Sequence, residues 1–411
     1  MLRSDVERRL RERQADDGYL LPAYGDYCFG SVPGTIGSLV GVENGPQLPS
    51  DVFEGVRTDA ATVVVVVVDG YGLNSWKRDR STHPFLSTLT ERGRVTPLTS
   101  VYPSETAAAM TTFETGQYPC EHGRVGWNVY EPETDRSFVA LGGEVKAGGD
   151  GEITAPEFRA GVDYHYDRFD ATGVDCHRVQ PFPVATDGVT HHTYDGLGEF
   201  GSTLADAVER VEDPGYVYGY LNQIDHVSHT GGTDSAAFQR TLETVCDQLT
   251  DFVDTLDTAT AEETLLLVTA DHGHVNTDPG QCVDLDTFET VRQNRRRHRD
   301  GTPIRLAGSP RNVHLHLEDG TVAATRAALA DLDAQVFTRE EALERGLFGP
   351  HQTSDRFRRR CGDLVVTHRR QGVWFGDIEP EAFDQVGLHG GLSPAEMLVP
   401  FAAVRADRLR G

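Results

Sequence analysis

Six consecutive valines constrain the fold of this chain more than any other feature of its sequence. They occupy residues 63–68, follow Thr62 and end directly at Asp69. Valine is β-branched and favours strands, and a run without polar alternation is typical of a strand that is covered on both faces. Such strands lie at the centre of parallel sheets. The run therefore predicts an α/β protein with a mostly parallel central sheet and helices on both faces.

Two later apolar runs repeat this pattern. Residues 215–221 (GYVYGYL) and 264–270 (TLLLVTA) are predicted strands, and the segment between them carries apolar residues at helical spacing from Thr233 to Leu256. Strand, helix, strand is the pattern of a right-handed crossover between parallel strands. The remaining predicted elements are a helix at 84–91, a capped helix at 339–345 and strands at 313–317, 363–367 and 397–404.

The chain divides into a core and inserted segments where the strand–helix alternation stops. The first interrupted segment is polar and rich in glycine and histidine, and the stretch 31–49 near the N-terminus is rich in glycine and proline and predicts loop. The predicted divisions are an α/β core at 50–130, 200–275 and 384–411, a cap segment at 131–199, a second insertion with its own strands and short helix at 276–383, and an N-terminal extension at 1–49.

Composition excludes several classes of protein. The 411 residues include 64 acidic and 38 basic side chains, a formal net charge of −26, which argues against general nucleic-acid binding. No apolar run approaches the ~18 residues that a membrane span needs, and the charged N-terminus lacks the apolar region of a signal peptide. Six cysteines without a CxxC pattern indicate neither a disulfide framework nor a zinc ribbon. We therefore expect a cytoplasmic protein, and these features leave its oligomeric state undetermined.

The basic residues carry a further signal. Lys77 and Lys146 are the only lysines, and every other basic side chain apart from histidine is arginine. Scarce lysine together with an excess of acids resembles the composition of salt-adapted proteins, so we predict a halophilic protein. Compositional drift in a GC-rich genome is the alternative explanation.

Carboxylates follow three of the predicted strands at their carboxyl ends. Asp69, Asp225 and Asp271 occupy these positions, and the carboxyl ends of parallel strands form the ligand-binding edge of an open sheet. Three adjacent carboxylates repel one another unless a cation lies between them. His229 and His272 lie beside them, and mixed Asp/His ligation suits zinc, with manganese or iron as competitors. Any single Asp–His pair could equally be a surface or capping pair.

Thr106 is the candidate nucleophile. It begins an alanine-rich segment of good helix propensity, and a hydroxyl at a helix N-terminus lies where backbone N–H groups favour an oxyanion or a phosphate. A plain N-cap threonine is the alternative. Beside a metal cluster, the same hydroxyl could become a metal-activated nucleophile.

Taken together in chain order, these motifs resemble the alkaline phosphatase superfamily, specifically its type I phosphodiesterase/nucleotide pyrophosphatase branch. The resemblance runs from about residue 63 to residue 401 and leaves the two insertions largely outside it. The motifs are VDGYG at 68–72, YPSET at 102–106, TGQYPCEHG at 115–123, DHVSH at 225–229, TADHG at 269–273 and GLHGGLSPAEMLVPF at 387–401.

The resemblance implies two divalent metal ions, zinc first, and a phosphothreonine intermediate on Thr106. A small phosphate ester or nucleotide would be the substrate. Asn128 matches, with a one-residue shift, the asparagine that contacts a phosphoryl oxygen in the family. His274 follows the Asp-His-Gly motif and is an alternative ligand. The implied ligands are Asp225, His229 and His389 for one metal, and Asp69, Asp271, His272 and Thr106 for the other.

The segment around Thr106 departs from the family pattern. Glu105 precedes the nucleophile where many members have a basic or small residue, and alanines at 107–109 replace the familiar Phe-Pro-Asn. These positions shape the substrate pocket, so phosphomonoesterase, sulfatase, phosphonate hydrolase and phosphomutase activities stay open. A metal-stabilised regulatory or defence-system component with little turnover is the alternative of another class.

Overall fold

The computed structural model describes residues 1–15, 18–149, 153–154, 162–183 and 186–410. Within them, a mostly parallel sheet flanked by helices confirms the predicted α/β class. The valine run forms the strand Thr62–Val68, in which every residue is buried, as expected for a strand covered on both faces. It pairs in parallel with Gly215–Leu221 and with Thr264–Thr269.

The central sheet has seven strands in the described part of the chain, and one of them runs against the others. That strand, Leu398–Arg405, pairs antiparallel with both of its neighbours. It continues from the short helix Pro394–Met397. Across the sheet the order is Arg94–Thr99, Leu398–Arg405, Thr264–Thr269, Thr62–Val68, Gly215–Leu221, Asp175–Gln180 and Thr190–Thr193.

The last two of these strands correct the interpretation of 131–199 as a cap throughout. Asp175–Gln180 pairs in parallel with Gly215–Leu221, and Thr190–Thr193 forms the edge of the same sheet. Both sequences are too polar to signal a sheet strand. THHT is an edge strand, which needs less apolar surface than a central one, and DCHRVQ has only Cys176 and Val179 as apolar residues although five of its six positions are buried. Residues 150–152, 155–161 and 184–185 of this segment lie outside the described residues.

A second sheet is built jointly by the two insertions. Gly308–Ser309 from the second insertion pairs antiparallel with Asn128–Glu131 at the start of the first. Gly126 permits this junction, because a Cβ there would lie 2.5 Å from the Cα of Gly308. The order in this antiparallel sheet is Ala334–Thr338, Leu364–His368, Asn312–Leu315, Gly308–Ser309, Asn128–Glu131, Arg136–Val139 and Val145–Ala147.

The N-terminal segment covers one edge of the central sheet. Leu2 and Cys28 form isolated bridges with the edge strand Arg94–Thr99. The stretch 31–49 contains the helix Val32–Leu39, which corrects the prediction of loop. Gly34 is what makes this helix possible, since a Cβ there would lie 2.1 Å from the carbonyl oxygen of Pro46. Here glycine serves close packing and not a turn.

The predicted helices are present with small shifts of their ends. The 339–345 helix spans Arg339–Glu344 and has the predicted capping box between Thr338 and Glu341. No helix in the described ranges is long and apolar enough to cross a membrane, and all six cysteines are free thiols. The remaining α-helices are Ser4–Arg11, Leu73–Asp79, Pro84–Arg92, Thr106–Thr115, Pro119–His122, His165–Ala171, Phe200–Arg210, Gln223–Gly231, Ala236–Thr255, Thr258–Glu262, Glu289–Asn294, Val322–Ala328 and Asp355–Arg360.

Two short two-stranded sheets lie outside the two large ones. Val275–Asn276 pairs antiparallel with Gly387–Leu388, and Val283–Asp284 pairs in parallel with Val373–Trp374. The 3₁₀ turns are Phe29–Ser31, Ser50–Phe53, Leu197–Glu199, Pro279–Gln281, Leu285–Thr287, Pro380–Phe383 and Ala406–Leu409.

Candidate metal centre and active site

Strand register places two carboxylates side by side at the carboxyl edge of the central sheet. Val67 is paired with Thr269, so Asp69 and Asp271, each two residues further along, are level with one another. With His272 they form a cluster whose ligand atoms lie within 4.8 Å of one another. All three side chains are buried. We call this group the Asp-rich cluster.

The Asp-rich cluster is held by short local contacts. Nε2 of His272 lies 3.3 Å from Oδ1 of Asp69 and 3.4 Å from Oδ2 of Asp271. The amide of Gly70 donates to Oδ1 of Asp271 at 3.2 Å, and the hydroxyl of Tyr220 donates to Asp69. The backbone therefore fixes one oxygen of Asp271 and leaves its Oδ2 without a hydrogen-bond partner among the described residues.

Thr106 lies against this cluster. It is the first residue of the helix Thr106–Thr115, and Glu105 occupies the N-cap position, so the plain N-cap alternative does not apply. The hydroxyl oxygen of Thr106 lies 3.0 Å from Nε2 of His272 and 3.4 Å from Oδ1 of Asp69. The side chain thus faces the ligand atoms of the cluster and not its own helix.

The buried carboxylates of the Asp-rich cluster disfavour each other's ionisation and attract a positive charge. Burial and the neighbouring carboxylate of Asp69 raise the pKa of Asp271 well above its usual range. Burial alone would lower the pKa of His272, but the carboxylates of Asp271 and Asp69 outweigh it and raise that pKa to about 10. Two buried carboxylates and one imidazole are a donor set that a divalent cation fits, because the cation supplies the missing positive charge.

A second cluster lies on the other side of the edge. Asp225 and His229 occupy positions four residues apart on the helix Gln223–Gly231 and so share one face. Oδ2 of Asp225 lies 3.4 Å from Nε2 of His229, and Oδ1 lies 3.4 Å from Nε2 of His389. Burial opposes ionisation of Asp225, but the imidazole of His229 outweighs it and holds that pKa well below its usual range.

His274 belongs to this second group, which we call the His-rich cluster. Its Nε2 lies 3.0 Å from Oδ1 of Asp225, and its Nδ1 lies 3.1 Å from the carbonyl oxygen of Gly70. A carbonyl can only accept, so Nδ1 carries the proton and Nε2 is free to bind a cation. Sequence analysis kept His274 as an alternative only. Only the pairing of Val275 with Leu388, which the sequence does not report, places His274 opposite His389.

The two clusters adjoin. The rings of His272 and His389 stack with their centroids 3.8 Å apart. His389 was assigned by resemblance alone, and it reaches the site because Gly387–Leu388 pairs beside the Asp-His-Gly segment. The structure thus brings the side chains that the family resemblance assigns to metals together in two adjoining groups.

Asn128 reaches the site from the antiparallel sheet. It begins the strand Asn128–Glu131 and lines a cavity of about 320 Å3 together with Thr106. Its Nδ2 donates to Oε2 of Glu379 at 3.4 Å, whereas its Oδ1 is buried without a hydrogen-bond partner in the described chain. Trp127 and Ser309, which the sequence did not single out, line the same cavity.

Thr106 lies between this cavity and a second one of about 150 Å3. The larger cavity also contains Asp225, His229 and His389 of the His-rich cluster. The smaller is lined by Arg178, by Arg124 and by aromatic side chains that include Tyr218. The guanidinium of Arg178 pairs with Glu114 and stacks over the ring of Tyr218 at 5.3 Å. The two sides of the nucleophile therefore differ in charge.

A comparison with curated proteins finds a relative of similar sequence. An uncharacterised pyrophosphatase/phosphodiesterase of Schizosaccharomyces pombe is 24% identical over 272 residues, which is 61% of this chain and 52% of the relative. The chain thus spans about half the length of the curated relative that it matches.

Solved structures of ectonucleotide pyrophosphatase/phosphodiesterase 5 share the fold. The murine protein has a TM-score of 0.65 at 19% identity, and the human protein 0.63 at 16% identity. An inactive threonine-to-alanine variant of the murine protein in complex with AMP has a TM-score of 0.64 at 18% identity. Each alignment covers 83% of this chain and 87% of the other. Residues 63–392 match the family profile for type I phosphodiesterase/nucleotide pyrophosphatase, and the chain belongs to that family.

Proposed function

We propose that this protein is a metal-dependent hydrolase of phosphate esters, foremost of phosphodiesters or nucleotide pyrophosphates, and that Thr106 is its nucleophile. The observation that carries the proposal is the position of the Thr106 hydroxyl. It lies 3.0 Å from His272 and 3.4 Å from Asp69, at the start of a ten-residue helix. A threonine that only caps its helix occupies the N-cap position and accepts from its own backbone amides, whereas Thr106 is the first helical residue and its hydroxyl faces the cluster.

Two divalent cations, zinc first and manganese or iron as competitors, are the proposed cofactors. The Asp-rich cluster and Thr106 would hold one, and Asp225, His229 and His389 would hold the other. When bound, such ions activate a hydroxyl nucleophile and neutralise the charge that develops on phosphoryl oxygens. Aspartate and neutral imidazole ligands match zinc in chemistry and number.

The reaction would proceed in two displacements at phosphorus. In the first, the oxygen of Thr106 forms a bond to phosphorus as the bond to the ester oxygen opposite it breaks. The Thr106 hydroxyl gives up its proton, which in the overall balance goes to the leaving alcohol, and a phosphothreonine intermediate remains. In the second, water attacks phosphorus, the bond to Thr106 breaks, and the hydroxyl is restored.

Two features of the protein would stabilise the negative charge during these steps. The helix that begins at Thr106 directs the positive end of its dipole at the phosphoryl group. The amide of Asn128 lines the same cavity and can donate to a phosphoryl oxygen, in exchange for its long contact with Glu379. Hydrogen-bond donors aimed at developing charge are among the largest contributions to catalysis.

A similar protein of known structure also supports this assignment. The murine ectonucleotide relative is inactive as a threonine-to-alanine variant and was obtained with AMP, which agrees with a threonine nucleophile and a nucleotide ligand in the family. We carry over small phosphate esters and nucleotides as the proposed substrates. The cytoplasmic location and the halophilic character stay predictions from composition.

A hydrolysis panel on zinc-loaded protein tests the proposal. It should contain bis(4-nitrophenyl) phosphate, 4-nitrophenyl phosphate, 4-nitrophenyl sulfate, a dinucleotide and a phosphonate. We expect the diesters to be hydrolysed fastest, and Thr106→Ala to lose on the order of 10³-fold or more in turnover with unchanged metal content. Thr106→Ser should keep part of the activity.

Two outcomes would overturn the assignment. If the sulfate ester or the phosphomonoester is the preferred substrate, the protein is a sulfatase or a phosphomonoesterase and not a phosphodiesterase. Full diesterase activity in Thr106→Ala would remove the threonine as nucleophile. Thr111→Ala is a matched control, because it deletes a hydroxyl on the same helix whose partners are the carbonyl of Ala107 and Arg124.

A further inference from the structure

The larger cavity beside Thr106 has acidic walls. Glu379 and Glu381 line it, and Glu105 closes it next to the nucleophile. Among the described residues that line this cavity there is no lysine or arginine. A site that received a second phosphate or another anion would place basic side chains here, so these walls disfavour an anionic group.

Two further observations point to a ligand in this cavity. Glu105 is 1% exposed, and its Oε2 has no hydrogen-bond partner in the described part of the chain. Trp127 is 41% exposed and is the aromatic side chain of the cavity wall. A tryptophan face combined with carboxylates is the arrangement that recognises an organic ammonium ion.

The position of the cavity assigns the part of the substrate that it would receive. Thr106 lies at the Asp-rich cluster, whereas the cavity is lined by Asp225, His229 and His389 of the His-rich cluster. In an in-line displacement, the leaving oxygen is opposite the attacking one. The group that enters this cavity is therefore the alcohol that leaves, and the arginine-lined cavity lies on the other side of Thr106.

We infer that the preferred substrate is a phosphodiester whose leaving alcohol carries an ammonium group, held between Trp127 and the carboxylates of Glu379 and Glu381. This inference rests on the proposed function and names its substrate class. It also separates this chain from an enzyme that releases pyrophosphate from nucleoside triphosphates, because pyrophosphate is a multiply charged anion.

A matched pair of substrates tests the inference. Methyl phosphodiesters of choline and of 3,3-dimethylbutanol have leaving alcohols of the same shape, and only the first is charged. We expect kcat/KM to be higher for the choline ester on the order of tenfold, with choline and methyl phosphate as products. An ethanolamine ester in the same series shows whether a primary ammonium is also accepted.

Charge variants test whether the carboxylates of the larger cavity cause the preference for the choline ester. Glu379→Gln/Glu381→Gln should bring the choline to dimethylbutyl ratio close to one, because kcat/KM for the choline ester falls more than kcat/KM for the uncharged ester. Glu243→Gln/Asp247→Asn removes two exposed carboxylates from the helix Ala236–Thr255 and should keep the full ratio. A ratio of one in the unmodified protein, or an unchanged ratio in the cavity variant, would overturn the inference, as would phosphocholine and methanol as products.

Calorimetric binding separates this inference from the proposed function. If no diester is turned over, the proposed hydrolase activity fails, but the two esters can still be titrated into zinc-loaded protein. Tighter binding of the choline ester, lost in Glu379→Gln/Glu381→Gln, would then support the cation site alone. Equal binding of both esters would reject the cation site, whatever the outcome for turnover.

Discussion

The central sheet and the antiparallel sheet contribute different parts of one site. The central sheet and the segments that precede or follow its strands carry both clusters and Thr106. The antiparallel sheet and its adjoining turns carry Trp127, Asn128 and Ser309, which wall the larger cavity. The proposed chemistry therefore resides at one sheet, and the contacts that would select a substrate come largely from the other.

The two sheets also differ in how the chain builds them. The central strands that hold ligands are followed directly by those ligands, so short segments determine their positions. The antiparallel sheet forms only when Gly308–Ser309 meets Asn128–Glu131 across almost 180 residues of sequence. A family of enzymes can therefore keep its ligand motifs and change its substrates by altering the inserted segments.

The largest loss of bound metal and of turnover should follow from a substitution at the central sheet. Asp271→Asn replaces a buried ligand carboxylate by a neutral amide, so we expect one of the two bound metal equivalents to be lost and turnover to fall at least about 10³-fold for every substrate. Elemental analysis and a diesterase assay measure both. Asp247→Asn, on an exposed helix face, is the control. Metal content at or below one equivalent in the unmodified protein would contradict the two-metal assignment.

Much of the central sheet could be predicted, because each sequence pattern that indicates it lies within one short segment of the chain. The valine run, the carboxylate after each of two strands and the i, i+4 pair of Asp225 and His229 are each visible in fewer than ten residues. His389 was available only through family resemblance, and His274 only through the pairing of Val275 with Leu388. Sequence patterns record periodicity within a segment and not which segments will be neighbours.

The antiparallel sheet was predicted only in fragments for the same reason. Its strands at 312–315 and 364–368 were identified, but their union with Asn128–Glu131 was not. That union depends on the close approach of Gly126 and Gly308, which no periodicity reports. The acidic cavity was missed because Glu379 and Glu381 look like ordinary surface acids in a chain that carries 64 of them.

The next largest effect, a loss of stability, should come from breaking the ion pair that joins the two sheets. Arg311, beside the strand Asn312–Leu315, makes a bidentate pair with Glu396 at 2.7 and 2.8 Å, and both side chains are fully buried. Glu396 also accepts the amide of Gly391 at 2.9 Å, two residues from the ligand His389. Arg311→Leu leaves a buried carboxylate unpaired, so we expect the free energy of unfolding to fall by about 3–5 kcal/mol.

Denaturant melts measure this loss, and a second variant interprets it. Arg326→Leu breaks the exposed pair with Glu341 and should cost less than about 1 kcal/mol. Arg311→Leu/Glu396→Leu should recover part of the stability, because no unpaired charge is left buried. If Arg311→Leu and Arg326→Leu are equally stable, the buried pair does not join the sheets.

A smaller effect is expected for the antiparallel sheet's contribution to the chemistry. Asn128→Ala deletes an amide that the proposal directs at a phosphoryl oxygen, and we expect kcat to fall about 10²-fold, since one donor to developing charge is lost. Metal content should stay unchanged, because Asn128 belongs to neither cluster. Loss of metal together with activity would show that Asn128 supports the clusters instead.

The smallest and most uniform effect should come from salt, which acts on both sheets alike. A net charge of −26 opposes the compact state, and the Debye length falls from about 10 Å at 0.1 M to about 3 Å at 1 M ionic strength. We expect the melting temperature to rise between these concentrations and to level off near the upper one if screening alone is responsible. Trp76, packed near the central sheet, and Trp374, in the core of the second insertion, are both buried. Variants that keep only one of them, with the other tryptophans replaced by phenylalanine, report the two regions separately by fluorescence. With saturating zinc present, the melting midpoints at the two tryptophans should rise together. A rise at Trp374 alone would show that the antiparallel region is the salt-sensitive part. A midpoint that stays constant at both tryptophans would reject salt adaptation.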